Sequence, residues 1–293
     1  MATKKLVDEI RSYCARQKRF TPARVAAKFG IDIETANEIA AEVMKPAPLL
    51  DYSAVARASK FQSERDFQQF IVRELVERNG FRERVFPKTP AKDGTGWRRE
   101  FAVDSDLLFE FLESSQGETM EKLRKILKGR WRETVLQCIN REMMKKGGSL
   151  LYVLKHGVEI QNLKLDLMYR KPEHPKVKLQ AERYAKNVFS VAQEVWASDD
   201  ERIDLVVFVN GIAVISFELK CNSAGQGYLD AVNQFKDERD PKTRLFAYPA
   251  GCLVNFAMDL DEVYMTTRLN GKKTVFLPFN RGKGKGVNAG AGN

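Results

Sequence analysis

Residues 202–220 read RIDLVVFVNGIAVISFELK. Two nearly uninterrupted apolar runs meet at Asn210-Gly211, a dipeptide suited to the positive φ values of a tight hairpin turn. Both runs are rich in β-branched and aromatic residues, which predicts a pair of buried strands. Three charges interrupt them: Asp204, Glu218 and Lys220. A charge on an otherwise buried strand is costly unless it is paired or bound to a metal, so these three demand a physical reason. Glu218 and Lys220 are two residues apart and project from one face. Asp204 joins them in only one of two registers. A two-residue turn that pairs Val209 with Ile212 leaves Asp204 opposite Phe217, on the wrong face. A three-residue loop with Gly211 as a bulge, or an equivalent bulge further along either strand, brings Asp204 onto the Glu218 face. The spacing predicts such a bulge.

Two carboxylates beside a lysine form a hard, oxygen-rich ligand set of the kind magnesium prefers, with manganese as a substitute. An ion held there polarises a phosphate and lowers the pKa of a bound water, and Lys220 adds a compact positive charge. The same three residues also admit a plainer reading, a buried ion pair between Lys220 and one of the carboxylates.

Outward from this window the grammar changes twice. From residue 149 onward the chain reads as strands, over SLLYVL, LKLDLMY, NVFSVAQEVWA, GCLVNFAMD, EVYMTTRL and KKTVFLPF, interrupted by one clear helix in GYLDAVNQFKDER. Residues 60–148 read as mainly helical. SERDFQQFIVRELVERNG (63–80) carries Phe67, Phe70, Ile71 and Leu75 on one stripe and stops at Gly80, and further helical stretches run through 104–148. Helices followed by strands with an embedded crossover helix imply an α/β or α+β domain built on a mixed sheet.

Residues 1–50 read as a separate small helical unit. Thr21-Pro22 opens a helix that Gly30 stops, and a second helix is expected through IETANEIAAEVMK (33–45). The pair is similar to a helix-turn-helix. The second helix, however, carries Glu34, Glu38 and Glu42 against Lys45, which suits packing or docking better than reading bases. A proline-rich linker over 45–53 separates this unit from a main domain over 55–280, and a glycine-rich tail occupies 281–293.

Composition constrains the class. Of 293 residues, 43% are apolar and 30% charged, as in a globular protein with a substantial core. Lys and Arg outnumber Asp and Glu by 49 to 39, a net charge of +10 that favours a polyanionic partner. Four cysteines without paired spacing, two histidines and no apolar leader point to a cytoplasmic protein without a zinc site or membrane anchor. No P-loop is present: GKKT (271–274) lacks the upstream glycine and GKGKG (282–286) lacks the hydroxyl residue.

The triad pattern resembles the PD-(D/E)xK nuclease superfamily. The surrounding words narrow the likeness: RIDLVVFVNGIAVISFELK, then DAVNQFKDERDP, then LVNFAMDLDEVYMTTRLNGKKTVFLPFN, with SERDFQQFIVRELVERNGF, LLFEFLESSQ and NVFSVAQEVW upstream. Together they resemble the N-terminal nuclease domain of the motor (restriction) subunit of Type I restriction-modification enzymes, over about residues 60–293. The resemblance implies a restriction-endonuclease-like core, magnesium held by Asp204 and Glu218, and Lys220 as catalytic lysine. It implies hydrolysis of double-stranded DNA after translocation, with methyltransferase and specificity subunits as partners. It also implies that the chain is a fragment of a longer subunit whose ATP-driven motor, and therefore whose ATP site, follows residue 293. Gln234 matches a glutamine that in the family assists near the scissile DNA, although Glu238 stands where the family pattern has a tyrosine. Glu64 matches an early-helix glutamate that joins the metal cluster; a first-turn glutamate after a capping serine equally favours the helix dipole.

Lys171, Lys176, Lys178 and Arg183 form a basic cluster able to hold DNA phosphates, or simply a solvated surface. Two other readings stand beside the endonuclease: a non-catalytic DNA-binding or subunit-assembly module, and a repair or junction nuclease with the same core.

Overall fold

In the computed structural model, residues 22–32, 35, 61, 63–89, 94–173, 177–222 and 225–279 are described. The chain divides into two compact units, residues 1–60 and 61–293.

In the first unit, helix α1 spans Pro22–Phe29, with the proline at its first position as the sequence leads one to expect. Gly30 takes φ +63° and ends it. Asp32 then accepts from the Thr35 backbone N–H at 2.8 Å, a local cap. The rest of the expected second helix, the 45–53 linker and the 281–293 tail lie outside the described residues.

The second unit is a mixed sheet with helices on both faces. In chain order it comprises α2 (Glu64–Arg73) with a π-turn (Glu74–Arg78), β1 (Arg82–Arg84), β2 (Trp97–Arg98), β3 (Val103–Asp104), α3 (Ser105–Leu127), α4 (Trp131–Met144) and α5 (Leu150–His156). There follow β4 (Val158–Ile160), β5 (Leu163–Leu165), α6 (Lys178–Tyr184), β6 (Phe189–Trp196), β7 (Arg202–Val209), β8 (Ile212–Leu219), α7 (Tyr228–Asp237), β9 (Val254–Met258), β10 (Val263–Thr266) and β11 (Leu277–Pro278). The large sheet runs β1-β6-β7-β8-β9-β10-β11, with β3 attached to β8 and β2 to β3. The β1–β6 and β8–β9 pairs are parallel and the others antiparallel, so α7 is the crossover of a β8-α7-β9 unit. This is the mixed α/β architecture that the pattern of elements implies.

One apolar cluster gathers α2 to α5 against Val191, Leu205, Val207, Ile212 and Val214 of the sheet. A second packs α7, through Ala231, Val232 and Phe235, against Val206, Phe208 and Ala257. Covered on both sides, β7 and β8 need no polar face, which is why their sequences barely alternate.

Three local expectations are corrected. SLLYVL is helix, not strand. Ser149 caps it by accepting from the Tyr152 N–H at 3.0 Å, and Leu150, Val153 and Leu154 are buried at helical spacing. The largely helical stretch 60–148 also supplies β1, β2 and β3, each too short to show a period. LKLDLMY contributes only the three residues of β5, in a separate two-stranded ribbon with β4.

Candidate active site

The β7–β8 hairpin turns in two residues. Val209 pairs with Ile212, and both Asn210 (φ +50°) and Gly211 (φ +78°) lie in the left-handed region. Gly211 is therefore not the bulge. The extra residue lies further along: Phe208 pairs with Ala213 but Val207 pairs with Ile215, so Val214 is skipped. From there Leu205 faces Phe217, and this register, carried one residue further, turns Asp204 to the face of Glu218. The turn obeys the twist of the strands, and the bulge restores the face that the carboxylates require.

Four of the singled-out residues converge at this end of the hairpin. Asp204 and Glu218 are both buried. The Leu219 N–H donates to Asp204 Oδ2 at 2.7 Å. Lys220 Nζ, at the end of β8, donates to Leu219 O at 3.1 Å and to Glu64 Oε2 at 3.2 Å. Glu64 reaches the lysine from the first turn of α2, where Ser63 accepts from the Asp66 N–H at 3.2 Å. Glu64 is thus a first-turn acid of α2 that also contacts Lys220.

A residue absent from the sequence-based expectations completes the cluster. Arg239, just beyond α7, donates through Nε to Glu218 Oε1 at 2.7 Å and through its terminal nitrogen to Arg202 O at 3.0 Å. It is 7% exposed. In KDERDP it reads as one more surface charge, and only its placement over β7 and β8 distinguishes it. The loop behind it is pinned by buried Glu201, which accepts from the Asp240 N–H at 2.6 Å and from Thr243 Oγ1 at 2.5 Å.

The second oxygen of Glu218, Oε2, is buried and has no hydrogen-bond partner. An orphaned carboxylate oxygen beside a second buried carboxylate is the environment a cation relieves. Among the described residues no three His, Cys, Asp or Glu side chains stand together as a complete metal cage. Magnesium asks for less: one or two carboxylates, with waters and phosphate oxygens filling the remaining positions. Asp204 and Glu218 fit that requirement.

The electrostatics agree with the geometry. Burial first, and then the charge of Glu218, push the Asp204 carboxyl well above the usual carboxylate range, against the Leu219 N–H that favours its anion. Burial also raises Glu218, partly offset by Arg239. Folded Asp204 thus holds a proton to higher pH than the unfolded chain, whose aspartates titrate near about 4. Its contribution to stability is complete below the unfolded pKa and is lost as pH rises through the folded one. In chelator, Asp204→Asn is expected to melt above the parent chain at neutral pH, by roughly 2–4 °C for each kcal/mol relieved. The two melting curves should converge near about pH 4. Identical melting temperatures across the whole pH range would refute this coupling.

Gln234 sits half-buried on α7, and its Oε1 is buried without a hydrogen-bond partner. Among the described residues no hydrogen bond joins Gln234 to Asp204 or Glu218. Lys171 and Arg183 line an open hollow of about 470 Å³ together with Tyr169 and Arg170, Lys178 begins α6, and Lys176 lies outside the described residues. Glu64 also borders a groove of about 700 Å³ shared with Arg65, Gln68, Gln193 and Arg202. Among the described residues no helix is long and apolar enough to cross a membrane.

A mixed sheet flanked by helices, with two buried carboxylates and a lysine at one end of a central hairpin, defines an α+β fold of the nuclease-like kind. The chain belongs to the family described as Type I restriction enzyme R protein N terminus (HSDR_N), whose model matches residues 61–274. The match covers the whole sheet except β11 and leaves residues 1–60 outside. Comparisons with curated proteins and with solved structures gave no match.

Proposed function

We propose that residues 61–279 form a magnesium-dependent endonuclease domain that hydrolyses phosphodiester bonds of double-stranded DNA. The observation that carries this reading is the buried Glu218 Oε2, without a hydrogen-bond partner, beside a second buried carboxylate, Asp204. A magnesium ion held there supplies Lewis acidity toward the scissile phosphate and acidifies a water. The protein's own part is positional. The Leu219 N–H fixes one oxygen of Asp204 and leaves the other for a ligand role. Lys220, steadied by Glu64 and Leu219 O, keeps a positive charge beside the reacting phosphate, where negative charge grows in the transition state. Gln234, with a buried unsatisfied oxygen, is assigned to the DNA side of the site, as the family likeness suggests. The basic hollow at Lys171 and Arg183 is assigned to phosphate contacts.

On this reading the domain works in a cytoplasmic restriction complex with methyltransferase and specificity subunits, a setting that family membership supports. There, cleavage follows translocation by an ATP-driven motor elsewhere in the full-length subunit. Manganese soaked into crystals of the chain tests the site. Anomalous density between Asp204 and Glu218 is expected, and density confined to other positions refutes the assignment.

The competing reading is a non-catalytic DNA-binding or assembly module. It draws on the Lys220–Glu64 and Arg239–Glu218 pairs, which could serve as structural cross-links. It relieves Glu218 by a hydrogen bond from protonated Asp204, where the metal reading places a cation; a buried acceptor with neither costs on the order of 1–3 kcal/mol.

A further inference from the structure

We propose that Arg239 is a positioning residue that decides which oxygen of Glu218 is offered to the metal and tempers the negative charge of the carboxylate pair. The inference rests on the two-carboxylate reading of Asp204 and Glu218. Three features of the structure support it. Arg239 holds Glu218 Oε1 through Nε at 2.7 Å, while Oε2 is left buried and without a partner. The carboxylate is therefore divided, one oxygen committed to the protein and one available. The guanidinium is itself held in place, because its terminal nitrogen donates to Arg202 O at 3.0 Å, at the start of the strand that carries Asp204. One planar fork thus joins the two ligand-bearing strands, a geometry that the ammonium of lysine cannot reproduce. Finally, the cluster sets three carboxylates (Glu64, Asp204, Glu218) against two cations (Lys220, Arg239). Without Arg239, two adjacent buried carboxylates would face each other with Lys220 alone to offset them.

A structural staple between β8 and the start of β7 would make the same bonds, so the test must separate the two roles. Removing the guanidinium strips a competing cation from Glu218 and frees Oε1 to join Oε2. A positioning role therefore predicts a gain in metal affinity, whereas a staple predicts a loss. Manganese is titrated into the unmodified 293-residue chain and into R239Q, R239K and E218Q, with binding followed by the paramagnetic resonance of free and bound ion. Melting temperatures are measured in parallel. R239Q should bind manganese about tenfold more tightly, as expected for removal of one nearby positive charge, with an altered bound-ion spectrum as Glu218 turns from one-oxygen to two-oxygen ligation. R239K keeps the charge, so its affinity should stay within about twofold of the parent while its spectrum still changes. If R239Q does not fold, the R239K spectrum carries the test. An R239Q affinity that is unchanged, or that falls in step with melting temperature, overturns the proposal, as does an R239K spectrum identical to the parent's. Should the parent chain show no manganese site that E218Q abolishes, the metal reading itself fails and the role of Arg239 with it. That outcome is distinct from an intact site indifferent to Arg239.

Discussion

In the intact subunit, Glu218→Gln is expected to lower DNA cleavage by about 10³-fold or more while ATP hydrolysis and translocation continue. The estimate follows from the role assigned to the carboxylate. An ion that polarises the phosphate contributes several kcal/mol to the transition state, and each ~1.4 kcal/mol is a factor of ten in rate. Losing about 4 kcal/mol therefore leaves about a thousandth of the activity. Glutamine is preferred to alanine because its amide oxygen can still accept from Arg239 Nε. Alanine would strand a buried guanidinium, and breaking a buried ion pair from one side costs on the order of 3–5 kcal/mol in stability, which would confuse the result. Plasmid linearisation by reconstituted complexes, with the ATPase measured in the same tubes, separates chemistry from folding. Normal cutting by the glutamine variant would remove Glu218 from the reaction and leave the assembly-module reading in its place.

The largest effect on stability is expected at the other end of the same hairpin. Gly211→Ala should destabilise the fold by about 3–5 kcal/mol, near the upper end for single substitutions. Gly211 has φ +78°, which strains any residue with a Cβ. The added carbon would also lie 2.3 Å from Asp104 O and 2.6 Å from the Leu108 backbone nitrogen. These are main-chain atoms of β3 and the first turn of α3 and cannot rotate aside. The Asp104 N–H donates to Gly211 O at 2.7 Å, so a shift of the turn also breaks this attachment. Asn210, fully buried, accepts from the Val188 N–H and donates to Leu167 O, which ties the turn to the chain on its other side. A calorimetric melting temperature lowered by less than about 3 °C would contradict this account of the turn, since each kcal/mol corresponds to roughly 2–4 °C in a domain of this size.

The strands of this hairpin were legible because burial on both faces writes itself as continuous apolar sequence, and the three charges stood out against that background. Their convergence was legible only as a condition. Asn-Gly argues for a two-residue turn, the carboxylates argue for a shifted register, and both hold because Val214 absorbs the difference. No local signal marks Val214, since a valine at a bulge looks like any valine in a strand. Arg239 was invisible for another reason. Its partner is 21 positions away and meets it only after the chain has wound α7 across the sheet. SLLYVL misled because leucine, tyrosine and valine suit either element over six residues, and the deciding features were the serine cap and Gly157 at the far end. β1, β2 and β3 carry two or three residues each, below the length at which alternation can be seen. Gln234 and Glu64 came from the family resemblance, and the structure adds to each a different circumstance: an unsatisfied buried oxygen for the first and a contact with Lys220 for the second.

The skipped valine in β8 also separates two demands that a straight ladder would force into conflict. Handedness of the polypeptide dictates the tight reversal at 210–211, and the convergence of two buried carboxylates dictates parity at 204 and 218. A single supernumerary residue works as a phase-shifter between them, much as a spacer lets two gears of unlike pitch turn on one shaft. The reversal is thereby free to serve as an anchor for β3 and α3, and the opposite end to gather the buried charges, with neither constrained by the residue count of the other.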